Sequence, residues 1–143
     1  MRQASGTLTF HTSGPALHEI TSEVAEWLAG TSISQGLLTL LCRHTSASLL
    51  ITENASPAVR RDLLKWMDRL APRGSGYEHD DEGPDDMPAH LRSVMTSAHL
   101  SVPVADGRMR LGTWQGVFLA EHRDAPHRRE VAVHVVENKD RSS

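Results

Sequence analysis

The segment from Gly76 to His90 holds the residues with the clearest capacity for chemistry. Six carboxylates and two imidazoles, with no lysine or arginine among them, lie between residues 78 and 90. Such a cluster repels itself unless a cation, a cationic substrate or bound protons offset its charge, and a divalent metal ion is the simplest of these. The alternative is a solvated acidic loop, which is what charge runs usually form.

Asp86 and His90 have the spacing of two ligands on one side of a helix. Asp86 followed by Pro88 is typical of a helix start, and His79 lies in the loop before it. We therefore expect a divalent metal ion with some of His79, His90 and His122 as ligands. Zinc and magnesium are the first candidates, because mixed imidazole and carboxylate donors leave the ion open. The other candidate groups here, as ligands or catalytic bases, are Asp80, Glu82 and Asp86. The alternative is that His90 only packs or caps locally.

A second group of polar residues follows the apolar run that ends at Cys42. His44 is a candidate catalytic residue, and the hydroxyl and amide groups nearby are candidate substrate contacts: Thr45, Ser46, Ser48 and Asn54. The alternatives are a turn that satisfies its own backbone and, for Asn54, the approach to a helix cap.

Gly112 and Gly116 bracket Thr113, Trp114 and Gln115 in an otherwise β-like region. The glycines permit close approach of a ligand, and Trp114 could form one wall around a flat ring, although a plain bulge has the same signature. We expect these three residues to contact substrate.

Three arginines near the C-terminal end of the chain could bind phosphate, since guanidinium matches its oxygens bidentately. They are Arg123, Arg128 and Arg129. The alternative is a set of surface ion pairs.

The bulk composition predicts a single globular domain over residues 1–143. A net charge of -3 gives no basic surface for nucleic acid. No segment approaches the roughly 20 apolar residues of a membrane span, and the N-terminus lacks the apolar stretch of a signal peptide. We therefore expect a cytoplasmic protein without nucleic-acid or membrane partners.

Periodicity predicts helices over 13–30 and 56–70, a short helix from Asp86, and strands over 7–11, 48–52, 100–104, 109–111, 117–121 and 130–136. The apolar run Gly36–Cys42 predicts a central strand buried on both faces. Asp106 and Gly107 predict a hairpin turn. These elements describe a mainly antiparallel sheet covered by two main helices and one short helix.

Four motifs in order resemble the YjbQ-like family, whose members are described as secondary thiamine-phosphate synthases. They lie at residues 44–48, at 77–80, at 82–90, and at 112–117 together with 121–123, and the resemblance covers nearly the whole chain. It implies a compact α+β domain, a cytoplasmic homotrimer, and sites in clefts lined by the motif residues.

The resemblance also implies a weak thiamine-phosphate synthase activity, which joins a hydroxymethylpyrimidine diphosphate to a thiazole phosphate and releases diphosphate. A metal ion could hold the leaving diphosphate, arginines could neutralise it, and Trp114 could stack on a ring. The leading hypothesis is thus a metal-assisted transferase acting on small phosphorylated substrates. The alternatives are a non-catalytic trimeric protein that binds metal or a phosphometabolite, and a metal-dependent hydrolase.

Overall fold

Two antiparallel sheets form the framework of the computed structural model, which describes residues 2–74 and 76–139. The strands are β1 (Gln3–Ser13), β2 (Ala16–Glu19), β3 (Gly36–Cys42), β4 (Ala47–Glu53), β5 (His99–Ala105), β6 (Arg108–Met109), β7 (Gln115–Glu121) and β8 (Pro126–Glu137). The helices are α1 (Thr21–Gly30), α2 (Pro57–Leu70) and α3 (Asp86–Met95). The larger sheet has the order β1-β8-β3-β5-β6, and the smaller one has the order β2-β7-β4. The predicted α+β class is confirmed.

The main core lies between the two sheets and α1. Leu38 of β3, Leu49 of β4, Leu119 of β7 and Val133 of β8 are buried together, and Val24 of α1 closes one side. Alternate residues of each strand point into this core, because side chains alternate between the faces of a strand. This alternation turns the intervening residue His134 away from the core, as its position between Val133 and Val135 indicates.

The far face of the smaller sheet is covered by α2. Leu17 of β2, Phe118 and Ala120 of β7, and Met67 of α2 form a second buried cluster. Consecutive residues of β7 thus enter two different cores, which explains why the whole run from Gly116 to Glu121 is buried. Among the helices of the described residues, none combines the length and apolarity that crossing a lipid bilayer requires.

The prediction of one helix from Ser13 to Gly30 is wrong in its first half. Residues 16–19 form β2, which pairs with β7, and α1 begins only at Thr21. Leu17 and Val24 have helix-like spacing, but they enter different cores. Pairing with a neighbouring strand therefore overrides the local 3.6-residue pattern.

The prediction that β3 is buried on both faces is wrong for the single chain. Leu38, Leu40 and Cys42 face the core, but Leu37 and Leu41 on the other face are 48% and 45% exposed. Sequence places β3 correctly as a central strand, between β8 and β5. The sequence of an apolar strand does not reveal whether its second face is covered by elements of the same chain or by another molecule.

Strand β3 begins at a glycine because the neighbouring backbone leaves no room for a side chain. A Cβ atom on Gly36 would lie 2.1 Å from the carbonyl oxygen of Val136 on β8. The hairpin between β5 and β6 is confirmed, with Asp106 and Gly107 both at positive φ, as a type I′ turn requires.

We predict that Gly36→Ala lowers the free energy of unfolding by about 1–3 kcal/mol, because β3 and β8 must move apart to accommodate the methyl group. The matched control is Gly30→Ala at the end of α1, where no atom lies within 4 Å of the new Cβ. Chemical denaturation should show no loss for the control, since alanine favours a helix. Equal losses in both variants would contradict the prediction.

Candidate functional site

Two histidines and an aspartate converge at the start of α3. Asp86 is the first residue of the helix, His90 follows one turn later, and His79 reaches the same point from the preceding loop. The Oδ2 atom of Asp86 lies 2.7 Å from Nε2 of His79 and 3.1 Å from Nε2 of His90. One ligand atom from each residue lies within 4.8 Å of the others. The structure thus brings together three of the residues that the sequence singles out.

The orientation of His90 is fixed by the main chain. Its Nδ1 atom lies 3.0 Å from the carbonyl oxygen of Thr45, which can only accept a hydrogen bond, so Nδ1 carries the proton. In the neutral ring, Nε2 then presents a lone pair to the Asp86 carboxylate. The Nε2 lone pair of His90 and the Asp86 carboxylate repel each other at this distance unless a proton or a cation lies between them. The donor set of two imidazoles and one carboxylate therefore fits a zinc-like divalent ion, and the Thr45 carbonyl is a typical outer partner of a metal-bound histidine.

The contact between Asp86 and His79 shifts their pKa values in opposite directions. Burial disfavours the charged Asp86 side chain, but the hydrogen bond from His79 and the charges of His90 and Arg123 outweigh it and lower its pKa. The hydrogen bond to Asp86 raises the pKa of His79. A carboxylate is thus kept ionised in a buried position, where it can hold either a proton-bearing imidazole or a metal ion.

Arg123 neutralises part of the acidic segment from within. Its Nε atom donates to Asp85 at 2.9 Å, Nη1 donates to Oδ1 of Asp86 at 2.7 Å, and Nη2 donates to the carbonyl oxygen of Glu82 at 3.1 Å. These bonds hold one Asp86 oxygen and leave Oδ2 to the histidines. Arg123 therefore positions the cluster rather than offering its donors to a phosphate.

The remaining carboxylates of the segment lie on its surface. Asp80 and Glu82 are exposed, and the Glu82 carboxylate lies 3.4 Å from Nε2 of His79. Asp80 lines an open cavity of about 710 Å³ together with Tyr77 and Met87. Both acids are close enough in sequence to the cluster to influence its charge, and neither belongs to the three-residue group.

A second cavity, of about 510 Å³, adjoins the cluster through His90. It is lined by His44, Thr45 and Ala47 on one side and by α3 residues including His90 and Val94 on the other. The structure therefore places His44 and Thr45 beside the candidate metal ligands.

Ser46 and Ser48 are buried, so their hydroxyls serve the interior. Ser46 accepts a hydrogen bond from Arg129 at 3.1 Å. Ser48 bonds to His122 at 2.8 Å and to Thr96 at 2.5 Å. Thr96, which lines the 510 Å³ cavity, carries no sequence signal, because it stands alone at the end of α3.

His122 lies apart from the other two candidate metal ligands. It is buried, and its Nε2 atom is engaged by Ser48. Burial, reinforced by the charge of Arg92, lowers the pKa of His122 to about 4, so the ring is neutral at pH 7. Within the described residues, the candidate ligand His122 is not brought to His79 and His90, because the end of β7 turns its ring inward.

The three arginines do not form a common phosphate-binding group. Arg129 is buried and donates to Glu121 through Nε at 2.7 Å and Nη2 at 2.5 Å. Arg128 precedes it on β8, so the Arg128 side chain points to the opposite face of the strand. There its Nη1 atom lies 3.5 Å from the carboxylate of Glu130. The buried ion pair between Arg129 and Glu121 lowers the pKa of Glu121 to about 2, although burial by itself would raise it.

Asn54, Thr113, Trp114 and Gln115 lie at the other end of β7. The main-chain N–H of Asn54 donates to the carbonyl oxygen of Trp114 at 3.0 Å, and the Trp114 ring is 64% exposed. Strand β7 runs from Gln115 to Glu121, and at about 3.4 Å per residue its ends are roughly 20 Å apart. Within one chain, the predicted site residues therefore form two separate groups.

Comparison with known proteins identifies the family of the chain. The profile of the family described as "UPF0047 protein YjbQ-like" matches residues 6–138. The chain belongs to this family. A UPF0047 protein of Synechocystis is 48% identical over 135 residues, covering 94% of this chain and 92% of the relative. YjbQ of Escherichia coli O157:H7 is 46% identical over 118 residues, covering 82% and 86%.

Solved structures of similar proteins share the fold of this YjbQ-like chain. A conserved hypothetical protein of Thermus thermophilus has a TM-score of 0.82 and 39% identity, covering 92% of this chain and 99% of that one. A YjbQ/UPF0047 family protein of Clostridium acetobutylicum has a TM-score of 0.85 and 30% identity, with the same coverage.

We predict that His122 makes the protein less stable as the pH falls. Between its ordinary pKa of 6.5 and the folded value of about 4, the unfolded chain binds a proton that the folded protein excludes. Its contribution should lower the free energy of unfolding by about 2–3 kcal/mol between pH 7 and pH 4.5. The measurement is urea denaturation at several pH values in the presence of a chelator.

The control compares His122→Gln with His11→Gln. The first variant should lose this part of the pH dependence, whatever its stability at pH 7, and the second should keep it because His11 is exposed on β1. An unchanged pH dependence in His122→Gln would refute the assignment.

Proposed function

We propose that the protein is a metal-assisted enzyme that transfers a group between small phosphorylated substrates, with secondary thiamine-phosphate synthesis as its specific reaction. The observation that carries the proposal is the convergence of His79, Asp86 and His90 beside a cavity that shares His90. The choice of a pyrimidine diphosphate and a thiazole phosphate as substrates rests on the motif resemblance.

The proposed site divides its tasks among a few residues. A divalent ion held by His79, Asp86 and His90 would supply Lewis-acid stabilisation of charge on oxygen. The carbonyl of Thr45 orients His90, and Arg123 orients Asp86. Such fixed ligands favour catalysis, because they need no rearrangement when charge develops on the substrate.

The arrangement of arginines supports binding of the anionic part of the substrate by the metal. Arg123 and Arg129 are engaged by carboxylates, whereas Arg128 is exposed and could approach a phosphate only from the surface. A leaving diphosphate would therefore lie near His79 and Asp86, and the uncharged part of the substrate would occupy the 510 Å³ cavity.

We predict that His90→Ala weakens zinc binding by at least tenfold, the scale known even for outer-shell changes. The matched control is His11→Ala, because His11 is exposed on β1 and does not belong to the His79, Asp86 and His90 group. Competition with a chromophoric chelator measures the affinity, and elemental analysis measures the bound metal. Thiamine-phosphate formation should require the metal and fall in proportion to its loss in His90→Ala.

The outcomes separate the candidate functions. Equal zinc affinity in His90→Ala and His11→Ala would refute the metal site. Tight zinc binding without turnover would favour the non-catalytic binding protein, and release of phosphate without ring transfer would favour the hydrolase. Turnover that a chelator leaves unchanged would refute metal assistance.

We also propose that the protein is a homotrimer, as the resemblance implies. The exposed apolar face of β3 supports this, because a central strand rarely leaves two leucines half exposed without a partner. Leu37 and Leu41 are flanked on this face by Pro103 of β5 and by Val136 and Ala132 of β8.

We predict that the double substitution Leu37→Glu, Leu41→Glu shifts the protein from trimer to monomer in light scattering at micromolar concentration. The charges would be buried without partners at the interface. Leu70→Glu is the matched control, since Leu70 is 52% exposed at the end of α2 and should leave the assembly unchanged. A monomeric wild-type protein would contradict the proposal.

A further inference from the structure

The imidazole of His44 is held in one tautomer by the backbone of β8. The main-chain N–H of Glu130 donates to Nε2 of His44 at 2.8 Å, so this nitrogen must carry the lone pair and Nδ1 must carry the proton. Burial and the charge of Arg129 lower the pKa of His44, which favours this neutral ring. In residues 2–74 and 76–139, no group accepts a hydrogen bond from Nδ1. The ring therefore has one polar group left to offer a ligand, and that group is a donor.

The cavity beside His44 is suited to an uncharged occupant. Its volume of about 510 Å³ lies within the range of small-molecule sites. Of the described residues that line it, none is a lysine, arginine, aspartate or glutamate. Ala47, Val94 and Ala98 contribute apolar surface, and an ionised group placed against them would lose its hydration without gaining a partner.

We propose that this cavity binds an uncharged heterocyclic ring and that His44 donates its Nδ1–H to an acceptor atom of that ring. The inference rests on the proposed function for the metal ion on the other side of His90, which would bind the charged part of the same substrate. His44 then selects rings that carry an acceptor, because a ring without one leaves the buried N–H group unpaired.

This role differs from the general-base role that a histidine at a strand end suggests. A base must offer a lone pair to the proton that it removes, and the one lone pair of neutral His44 is engaged by Glu130. His44 is thus a specificity-determining donor rather than a proton acceptor. The hydroxyl of Thr96 lines the same cavity, but it is already hydrogen-bonded to Ser48 and to the carbonyl oxygen of Arg92.

The test uses two probes of the same shape, 2,5-dimethylpyrimidine and 1,4-dimethylbenzene. Both are uncharged at pH 7, but only the first has ring nitrogens that accept hydrogen bonds. Binding to the full-length protein is followed by NMR, with and without zinc, and nitrogen-15 labelling of the histidines reports the tautomer of His44. We expect a proton on Nδ1 and roughly three- to tenfold tighter binding of the pyrimidine, the ratio that one hydrogen bond provides.

His44→Met is the informative variant, because its thioether sulfur can weakly accept the Glu130 N–H bond but supplies no donor. The preference for the pyrimidine should disappear in His44→Met and persist in the control His11→Met, since His11 is exposed on β1. A proton on Nε2 in the wild type, equal binding of the two probes, or binding of neither would overturn the inference, and these wild-type results stand even if His44→Met does not fold. Failure of zinc binding alone would refute the proposed function and leave the probe preference intact.

Discussion

The buried ion pair between Glu121 and Arg129 is the interaction on which the site depends. It joins the end of β7 in the smaller sheet to β8 in the larger one, and Thr12 of β1 donates to the same carboxylate. Removing one partner of such a pair costs about 3–5 kcal/mol, since the other charge stays buried. The second Glu121 oxygen also accepts the main-chain N–H groups of His122 and Arg123, at 2.9 and 3.0 Å.

Those two backbone bonds determine where the chain goes after β7. They turn the chain so that the Arg123 side chain reaches Asp85 and Asp86, and Arg123 then fixes the Asp86 oxygen that faces away from the histidines. The acidic segment, which would repel itself in isolation, thus lies against a guanidinium supplied by a distant strand. Arg123 thus neutralises part of the negative charge of this segment. The Oδ2 atom of Asp86 remains for a proton or a metal ion.

Sequence alone predicts the parts of this arrangement that are local. The i, i+4 spacing of Asp86 and His90, the central position of β3 and the turn at Asp106 follow from patterns within a few residues. The inward turn of His122 and the separation of Arg128 from Arg129 depend on which sheet faces which core. Alternation along β8 does place those two arginines on opposite faces, but their proximity in sequence suggests a common phosphate site. Motif patterns likewise group Asn54 and Trp114 with the other site residues, although the length of β7 separates these two residues from His79, Asp86 and His90.

The hydrogen bond between His90 and the carbonyl oxygen of Thr45 bears on how this site tolerates mutation. A main-chain carbonyl is supplied by every amino acid, so the group that orients His90 survives any substitution at position 45 that preserves the backbone path. The identity of the side chain at position 45 therefore does not determine the orientation of the His90 imidazole. The wall of the adjoining cavity can change through Thr45, and with it the shape of the ligand that fits, without disturbing the neighbouring His–Asp–His group.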